Sequence, residues 1–392
     1  MKMHRIHSYP AKFPAFIATK ALQLAASEGI KTSKIADIFC GCGTVALEAR
    51  RSNIHFWGCD INPVATLIAR AKSCKYQSGR LLKYSEHIVN SFRSSKHKEP
   101  YRAANERLRY WYDSNHYGDL ARLKASIEEL TPPNSSYRTF FLCAFSNILK
   151  GTSRWLTKSI KPQIDPEKKP VSVLHAFKEQ SAFMIAANQE NDAKGDAAVD
   201  IRTANFLDSS LARPLVDMII TSPPYVTSYE YADLHQLSSL WLGYANDYRE
   251  LREGSVGSLH HDYNFSRSLK HLNDNGSRIV FRLLNKDKSK ARSVAKYFLD
   301  MQQVASLCHS MLKPKGMSLF VIGNTEYKGV KIENAQHFAE SLQRAGFSQI
   351  KVTKRKISKK ILTPYRNDRG CFTTHSDGRK VYAEEFILIG RK

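Results

Sequence analysis

Acidic side chains are in short supply in this chain. Its 392 residues carry 36 Asp and Glu against 60 Lys and Arg, a formal net charge of +24 at pH 7. That balance favours a polyanionic partner, of which nucleic acid is the commonest. Long apolar runs are missing as well: no stretch is long enough to span a bilayer, and no long basic amphipathic helix offers itself to a membrane surface. The opening Met1-Lys2-Met3-His4-Arg5 leads into no apolar signal-peptide core, so an intracellular protein is expected. Cysteine is sparse and odd in number, seven in all, which speaks against a disulfide framework. The nearest pair, Cys40 and Cys42, has the wrong spacing for a zinc hairpin and no His/Cys cluster to complete it. Small buried thiols and no metal site are expected. Internal repeats are absent, and so is the GxGxxG of nicotinamide-binding proteins. With 42% hydrophobic and 10% aromatic residues the chain still has enough for a full core, organised as one large domain with insertions.

The stretch around which everything else is arranged is Thr221-Ser222-Pro223-Pro224-Tyr225. The apolar run Val216-Asp217-Met218-Ile219-Ile220 before it has the length and composition of a buried parallel strand. Two prolines stop that strand, because proline has no N–H for the ladder and restrains the residue before it. The chain therefore leaves the sheet at a strand's carboxyl end, where open α/β sheets bind ligands. There it displays the Ser222 hydroxyl, unconsumed carbonyls and the flat ring of Tyr225. Acceptors beside a stacking ring suit a planar base with an exocyclic amino group.

Three further signals lie in order along the chain. His7-Ser8-Tyr9-Pro10-Ala11-Lys12-Phe13-Pro14 is a stiff hook that precedes a helical pattern over 15–24. A strand pattern over 34–39, the glycine-rich Cys40-Gly41-Cys42-Gly43-Thr44 and a helix over 45–50 form the first half of a nucleotide-type βαβ unit. The next strand, over 54–59, ends on Asp60, where such units hold ribose hydroxyls. Between about residues 74 and 196 the α/β rhythm gives way to helical, Arg/Lys- and Tyr/Trp-rich segments, with a polar linker over 158–170. It resumes over 199–204, with Asn205-Phe206 at that strand's end. Residues 244–294 are polar and basic, and a stretch of that length on a ligand-binding edge suggests a functional or mobile segment. A helix over 295–312, a Pro314-Lys315-Gly316 turn, a strand over 317–323, a helix over 334–345, a strand over 348–352, a basic run over 354–360 and a last strand over 382–389 complete the pattern.

Together these motifs resemble the amino-directed DNA methyltransferases that use S-adenosylmethionine, the N4-cytosine and N6-adenine enzymes. The family's N-terminal hook is similar to Tyr9-Pro10-Ala11-Lys12-Phe13. Its Asp-Pro-Phe-x-Gly-x-Gly-Thr signature is matched from Asp37 to Thr44, except that Ile38 replaces the proline. Its Pro-Pro-aromatic turn is matched by Ser222-Pro223-Pro224-Tyr225. The resemblance implies an α/β Rossmann-like class I methyltransferase sheet, interrupted by a mainly helical insertion and a basic variable segment. Residues 1–75, 197–243 and 295–392 would form the catalytic domain. Residues 76–196 would be the insertion, a candidate for target recognition, and 244–294 a basic segment that contacts DNA.

Carried over residue by residue, the resemblance places Asp37, Phe39, Gly41, Gly43 and Thr44 along the cofactor. Asp60 would accept from its ribose hydroxyls, Ile61 would lie against the adenine, and Asn205 and Phe206 would close the adenine's far side. Tyr9 and Lys12 would help close the methionine end. An exocyclic amine is a poor nucleophile because its lone pair is delocalised into the ring. Ser222 Oγ and the Pro223 carbonyl would accept its two N–H bonds and localise that pair. The base must first leave the duplex, and stacking on Tyr225 would offset part of the cost. Carbon-5 methylation needs a cysteine nucleophile, usually in a Pro-Cys dipeptide, and the sequence has none. Serine in the first position leans toward N4-cytosine, with N6-adenine the alternative. Double-stranded DNA is then the expected partner, a cognate restriction endonuclease a candidate one, and the setting a bacterial, archaeal or phage-infected cytoplasm. The rivals are a structured-RNA methyltransferase and a non-catalytic nucleic-acid-binding protein on the same fold.

Overall fold

The computed structural model describes the whole chain except residues 11, 98, 160, 192–194, 227–230, 259–262, 358–364, 367–371, 374–378 and 381–383. Seven strands form the central sheet: β1 (Lys34–Asp37), β2 (His55–Asp60), β3 (Val199–Thr203), β4 (Val216–Thr221), β5 (Leu312–Ile322), β6 (Ser348–Lys356) and β7 (Glu384–Arg391). Their order is 3-2-1-4-5-7-6, parallel throughout except for β7, which runs antiparallel to both β5 and β6. The chain reverses its direction of travel through the sheet between β1 and β4, and that crevice is where such sheets take ligands.

Strand alternation decides what packs where. Ile35, Met218, Ile220 and Leu319 face α1 (Ala15–Ser27) and α2 (Thr44–Arg51), while Ala36, Trp57, Ile219 and Phe320 face the other side. There they meet α12 (Asp274–Leu284), α13 (Lys288–Met311) and α14 (Asn334–Arg344). Strand β4 is buried at every position, as a central parallel strand should be. Helix α3 (Pro63–Ser73) starts on Asn62, whose Oδ1 accepts from the Val64 and Ala65 amides, and has proline at its first position.

The segment between α3 and β3 is helical: α4 (Ser78–Ser94), α5 (Glu106–Trp111), α6 (Ser114–Leu130), α7 (Ser136–Ile148) and α8 (Val173–Gln189). It has a core of its own, rich in aromatics such as Trp111, Phe140, Phe141 and Phe177, which is continuous with the outer face of α3. Met3 and Ile6 from the N-terminus join it, as do Leu237 and Trp241 from the short helix α10 (Gln236–Trp241), which follows α9 (Tyr231–Leu234).

Several features differ from the sequence expectation, among them β6, which runs on past 352 to Lys356 and takes in the start of the basic run. Helix α13 begins at Lys288, seven residues ahead of 295, because Asp287 caps it through the Lys290 amide. The basic segment thus contains α12 and the opening turns of α13, with α11 (Phe265–Ser268) before them. The Pro314–Gly316 turn lies inside β5: Val216 pairs Leu312 and Met218 pairs Met317, so the intervening residues bulge out, with Lys315 at φ +65°. The 158–170 linker is folded against the insertion. Trp155 bridges Ile164, and Lys150 and Lys168 donate to the carbonyls of Ser159 and Trp155. The last strand is β7 at Glu384–Arg391; residues 382 and 383 lie outside the described residues, as do His260, His261, Lys359 and Lys360.

Candidate active site

The carboxyl ends of β1 to β5 open into one continuous cleft of about 2310 Å³. Every site residue inferred from the sequence lines it except Gly43, which packs against Ala69 of α3. Asp37 ends β1 and is buried; its Oδ1 accepts from Thr221 Oγ1 at 2.6 Å and from the Phe39 amide at 3.2 Å. One carboxylate oxygen thereby ties the glycine turn to the strand that carries the Pro-Pro turn. Burial pushes this carboxyl up to about 7.

Gly41 and Gly43 occupy left-handed backbone at φ +46° and +73°. A Cβ on Gly43 would stand 2.7 Å from the Cα of Ala69 in α3, so only glycine permits that helix to approach. Asp60 holds the same turn from β2: Oδ2 accepts from the Gly41 amide at 2.8 Å and Oδ1 from the Asn62 amide at 2.9 Å. Its burial raises its pKa against those hydrogen bonds. The Tyr9 ring lies over Gly41, 3.7 Å from where a Cβ would be. Thr44 opens α2, and Phe39, Ile61, Asn205 and Phe206 face the cleft from three strand ends. Asn205 Nδ2 donates to the Gly254 carbonyl, which brings the basic segment onto this wall, and Phe206 is buried beneath Arg213. Lys12 lines the cleft, but its ammonium donates to the carbonyls of His4 (3.1 Å) and His7 (2.6 Å) and so braces its own hook.

The Pro-Pro turn is braced from distant elements. Ser222 donates its only hydroxyl hydrogen to the Val321 carbonyl of β5 at 2.9 Å, which leaves the oxygen as an acceptor toward the cleft. The Pro224 carbonyl accepts from the Tyr297 hydroxyl of α13 at 2.9 Å. Tyr225 packs on Gly323, where a Cβ would come within 2.9 Å of its ring, and its hydroxyl donates to Glu385 Oε1 at 3.1 Å. Burial, then Glu385, keeps that phenol protonated and donating. Arg355 of β6 in turn donates to Glu385 Oε2. Tyr297 and Glu385 escaped sequence reasoning because each sits in an ordinary helix or strand pattern, with two adjacent carboxylates opening β7 as a faint signal. Arg355 was visible only as part of the basic run over 354–360, and its place is in β6, on Glu385.

Described residues hold no His/Cys/Asp/Glu group fit for a metal. Six of the seven thiols are described, all free; five are buried, and Cys42 takes a contact from the buried Lys72 ammonium at 3.3 Å. Among the described residues no helix is long and apolar enough to cross a membrane.

This strand order, with its antiparallel seventh strand, is the Rossmann-like class I sheet, and the glycine turn, the acid that ends β2 and the Pro-Pro turn stand together on its carboxyl edge. The particular relative found is Type II methyltransferase M.MvaI of Kocuria varians, 23% identical over 402 aligned positions that cover 95% of this chain and 88% of that one. No family model matches the chain. Among solved structures it aligns with the rRNA methyltransferase aviRa from Streptomyces viridochromogenes (11% identity, 98% and 88% of the two chains, TM-score 0.31). It also aligns with a SAM-dependent methyltransferase from Methanosarcina mazei (9% identity, 94% and 96%, TM-score 0.31). At that degree of superposition the strand order itself carries the assignment. The pocket fits the cofactor on its own terms: a cradle that a Cβ at Gly43 would spoil, and a carboxylate held at the end of β2.

Proposed function

We propose that this chain methylates the exocyclic amino group of a base flipped out of double-stranded DNA, with N4 of cytosine as the target. The observation that carries the reading is Ser222, an oxygen fixed as an acceptor by its hydrogen bond to Val321, beside the braced ring of Tyr225 and in the same cleft as the glycine turn. S-adenosylmethionine supplies an electrophilic methyl group. The protein's part is positioning. Ser222 Oγ and the Pro223 carbonyl accept the two amine hydrogens and direct the nitrogen lone pair into the cleft. Tyr225 stacks on the base, which offsets part of an extrusion cost of a few kcal/mol. Asp60 with the Gly41 turn, and Ile61, Asn205 and Phe206 beyond it, hold the nucleoside portion of the cofactor.

DNA as substrate is supported by the net charge of +24 and by basic groups on the cleft's rim: Lys150, Lys158 and Lys161 from the insertion, Arg252 from the basic segment, Lys356 from β6. Insertion and basic segment would then grip the duplex from two sides. The Type II relative supports a role beside a cognate restriction endonuclease. The test is methyl transfer from labelled S-adenosylmethionine to undermethylated bacterial DNA, followed by mass identification of the modified nucleoside. N4-methylcytosine is expected, with transfer falling about 10²- to 10⁴-fold in Ser222→Ala while cofactor binding persists. N6-methyladenine would overturn the choice of base. Label entering structured RNA alone would overturn the substrate, and no cofactor binding at all would leave only a nucleic-acid-binding protein.

A further inference from the structure

His235 belongs to none of the three motifs, yet it stands in the cofactor cleft. It is 5% exposed, between α9 and α10, and its ring stacks on that of Tyr9 with centroids 5.0 Å apart and planes 20° from parallel. Its backbone is fully engaged: the amide donates to the Tyr231 carbonyl, and its own carbonyl accepts from the Ser239 amide and hydroxyl. The ring is a different matter. Nε2 is buried and has no hydrogen-bond partner among the described residues.

His7 repeats the pattern beside it. Its Nε2 meets Ser146 Oγ at 3.0 Å, Nδ1 is buried without a partner among the described residues, and it too lines the cleft. Burial brings His235 down to about 4 and lowers His7 as well, so both rings are neutral near pH 7. Lys12 lies in the same corner, with two of its three ammonium hydrogens committed to backbone carbonyls. Leaving a buried imidazole nitrogen unpaired is unfavourable, and such a group calls for a ligand or a water. Tyr9 lies over Gly41, so the His235 ring stacked on it stands beside the glycine turn.

We propose that His235 binds the amino-acid end of S-adenosylmethionine, its Nε2–H donating to the α-carboxylate while Tyr9 holds the ring in plane. This rests on the methyltransferase reading and adds to it a residue that acts on binding. The sulfonium end and the adenosine lie on other residues, so His235 discriminates ligands that carry the amino acid from those that lack it.

The experiment is calorimetric binding of S-adenosylhomocysteine and of 5′-methylthioadenosine, which shares the thioether nucleoside but has no amino acid, to wild type, His235→Phe and His235→Gln. Phe keeps the stack on Tyr9 and removes the nitrogen; Gln restores a donor near the position of Nε2. Expected is at least a tenfold loss of S-adenosylhomocysteine affinity in the Phe variant, recovery of part of it in the Gln variant, and methylthioadenosine unchanged within twofold in both. Equal losses for both nucleosides would assign His235 a purely structural role and overturn the proposal, as would unchanged affinity for both. A wild-type protein that binds neither nucleoside would overturn the methyltransferase reading itself, whereas normal wild-type binding with an indifferent His235 overturns only this inference.

Discussion

The two halves of the cleft are built on different principles. On the glycine-turn side, the two carboxylates are satisfied within a few residues or by the neighbouring strand: Asp60 by the Gly41 and Asn62 amides, Asp37 by Phe39 and Thr221. On the Pro-Pro side Ser222 also uses the neighbouring strand, β5, but the rest of the turn leans on remote elements: Pro224 on α13, Tyr225 on β7 and through it on β6. The first half is preformed by local chain geometry. The second exists only once the far end of the sheet, antiparallel strand included, is in place. Disturbing one should leave the other's ligand largely alone.

The largest test falls on Asp37, the joint between the halves. Its carboxyl titrates at about 7 in the folded protein against 3.8 ordinarily. Between those values the folded state keeps a proton that the unfolded chain releases, so stability is fully present below pH 3.8 and lost as pH rises through 7. About three units at about 1.4 kcal/mol each make this of order 4 kcal/mol. Buried His7, His235 and His337 act with the opposite sign, losing stability as pH falls below 6.5. The difference between wild type and Asp37→Asn isolates the carboxyl: melting temperatures of the ligand-free proteins should diverge steadily from pH 4 to 8, the variant gaining. Parallel curves would refute it.

Next in size is Gly43→Ala, which combines positive φ with overlap on the Ala69 backbone. A loss of about 2–4 kcal/mol is expected, read as a fall of about 5 °C or more in melting temperature. Cofactor affinity should drop with it. The smallest is Glu385→Gln, which keeps the shape but removes the charge that pairs with Arg355 and receives the Tyr225 hydroxyl. About 1 kcal/mol is at stake, seen as a five- to tenfold rise in KM for DNA with S-adenosylhomocysteine binding unchanged. An equal loss of cofactor affinity would mean the two halves are coupled more tightly than their hydrogen bonds suggest.

This division also explains what the sequence disclosed. Strand, glycine turn, helix and acid-ended strand are local patterns, and Gly41, Gly43, Asp60 and the Ser222–Tyr225 turn could be placed from spacing alone. The strand order 3-2-1-4-5-7-6 was not legible, because β7 and β6 pair across a long stretch of chain. The roles of Tyr297, Glu385 and Arg355 were missed for the same reason: each acts on a residue more than seventy positions away or through one that does. His235 was hidden by its surroundings, a polar residue in a short Leu-His-Gln-Leu helical stretch that reads as an ordinary surface face. Lys12 shows the converse: it lines the cleft, and its ammonium bonds are to the carbonyls of His4 and His7 in its own N-terminal segment.

The helical insertion has a consequence for how the molecule is made. Strands β2 and β3 are hydrogen-bonded neighbours, yet everything from Ile61 to Ala198 is synthesised between them. Parallel pairing across so long a loop is slow, and an edge left waiting is prone to misassembly. Helices α4 to α8 bury an aromatic core against α3, and most of its members, Trp111, Phe140, Phe141 and Phe177 among them, are encoded ahead of β3. The insertion thus shortens the effective loop from a hundred-odd flexible residues to a folded block whose two ends lie close together. On that account the segment serves as a scaffold during synthesis before it ever meets a substrate.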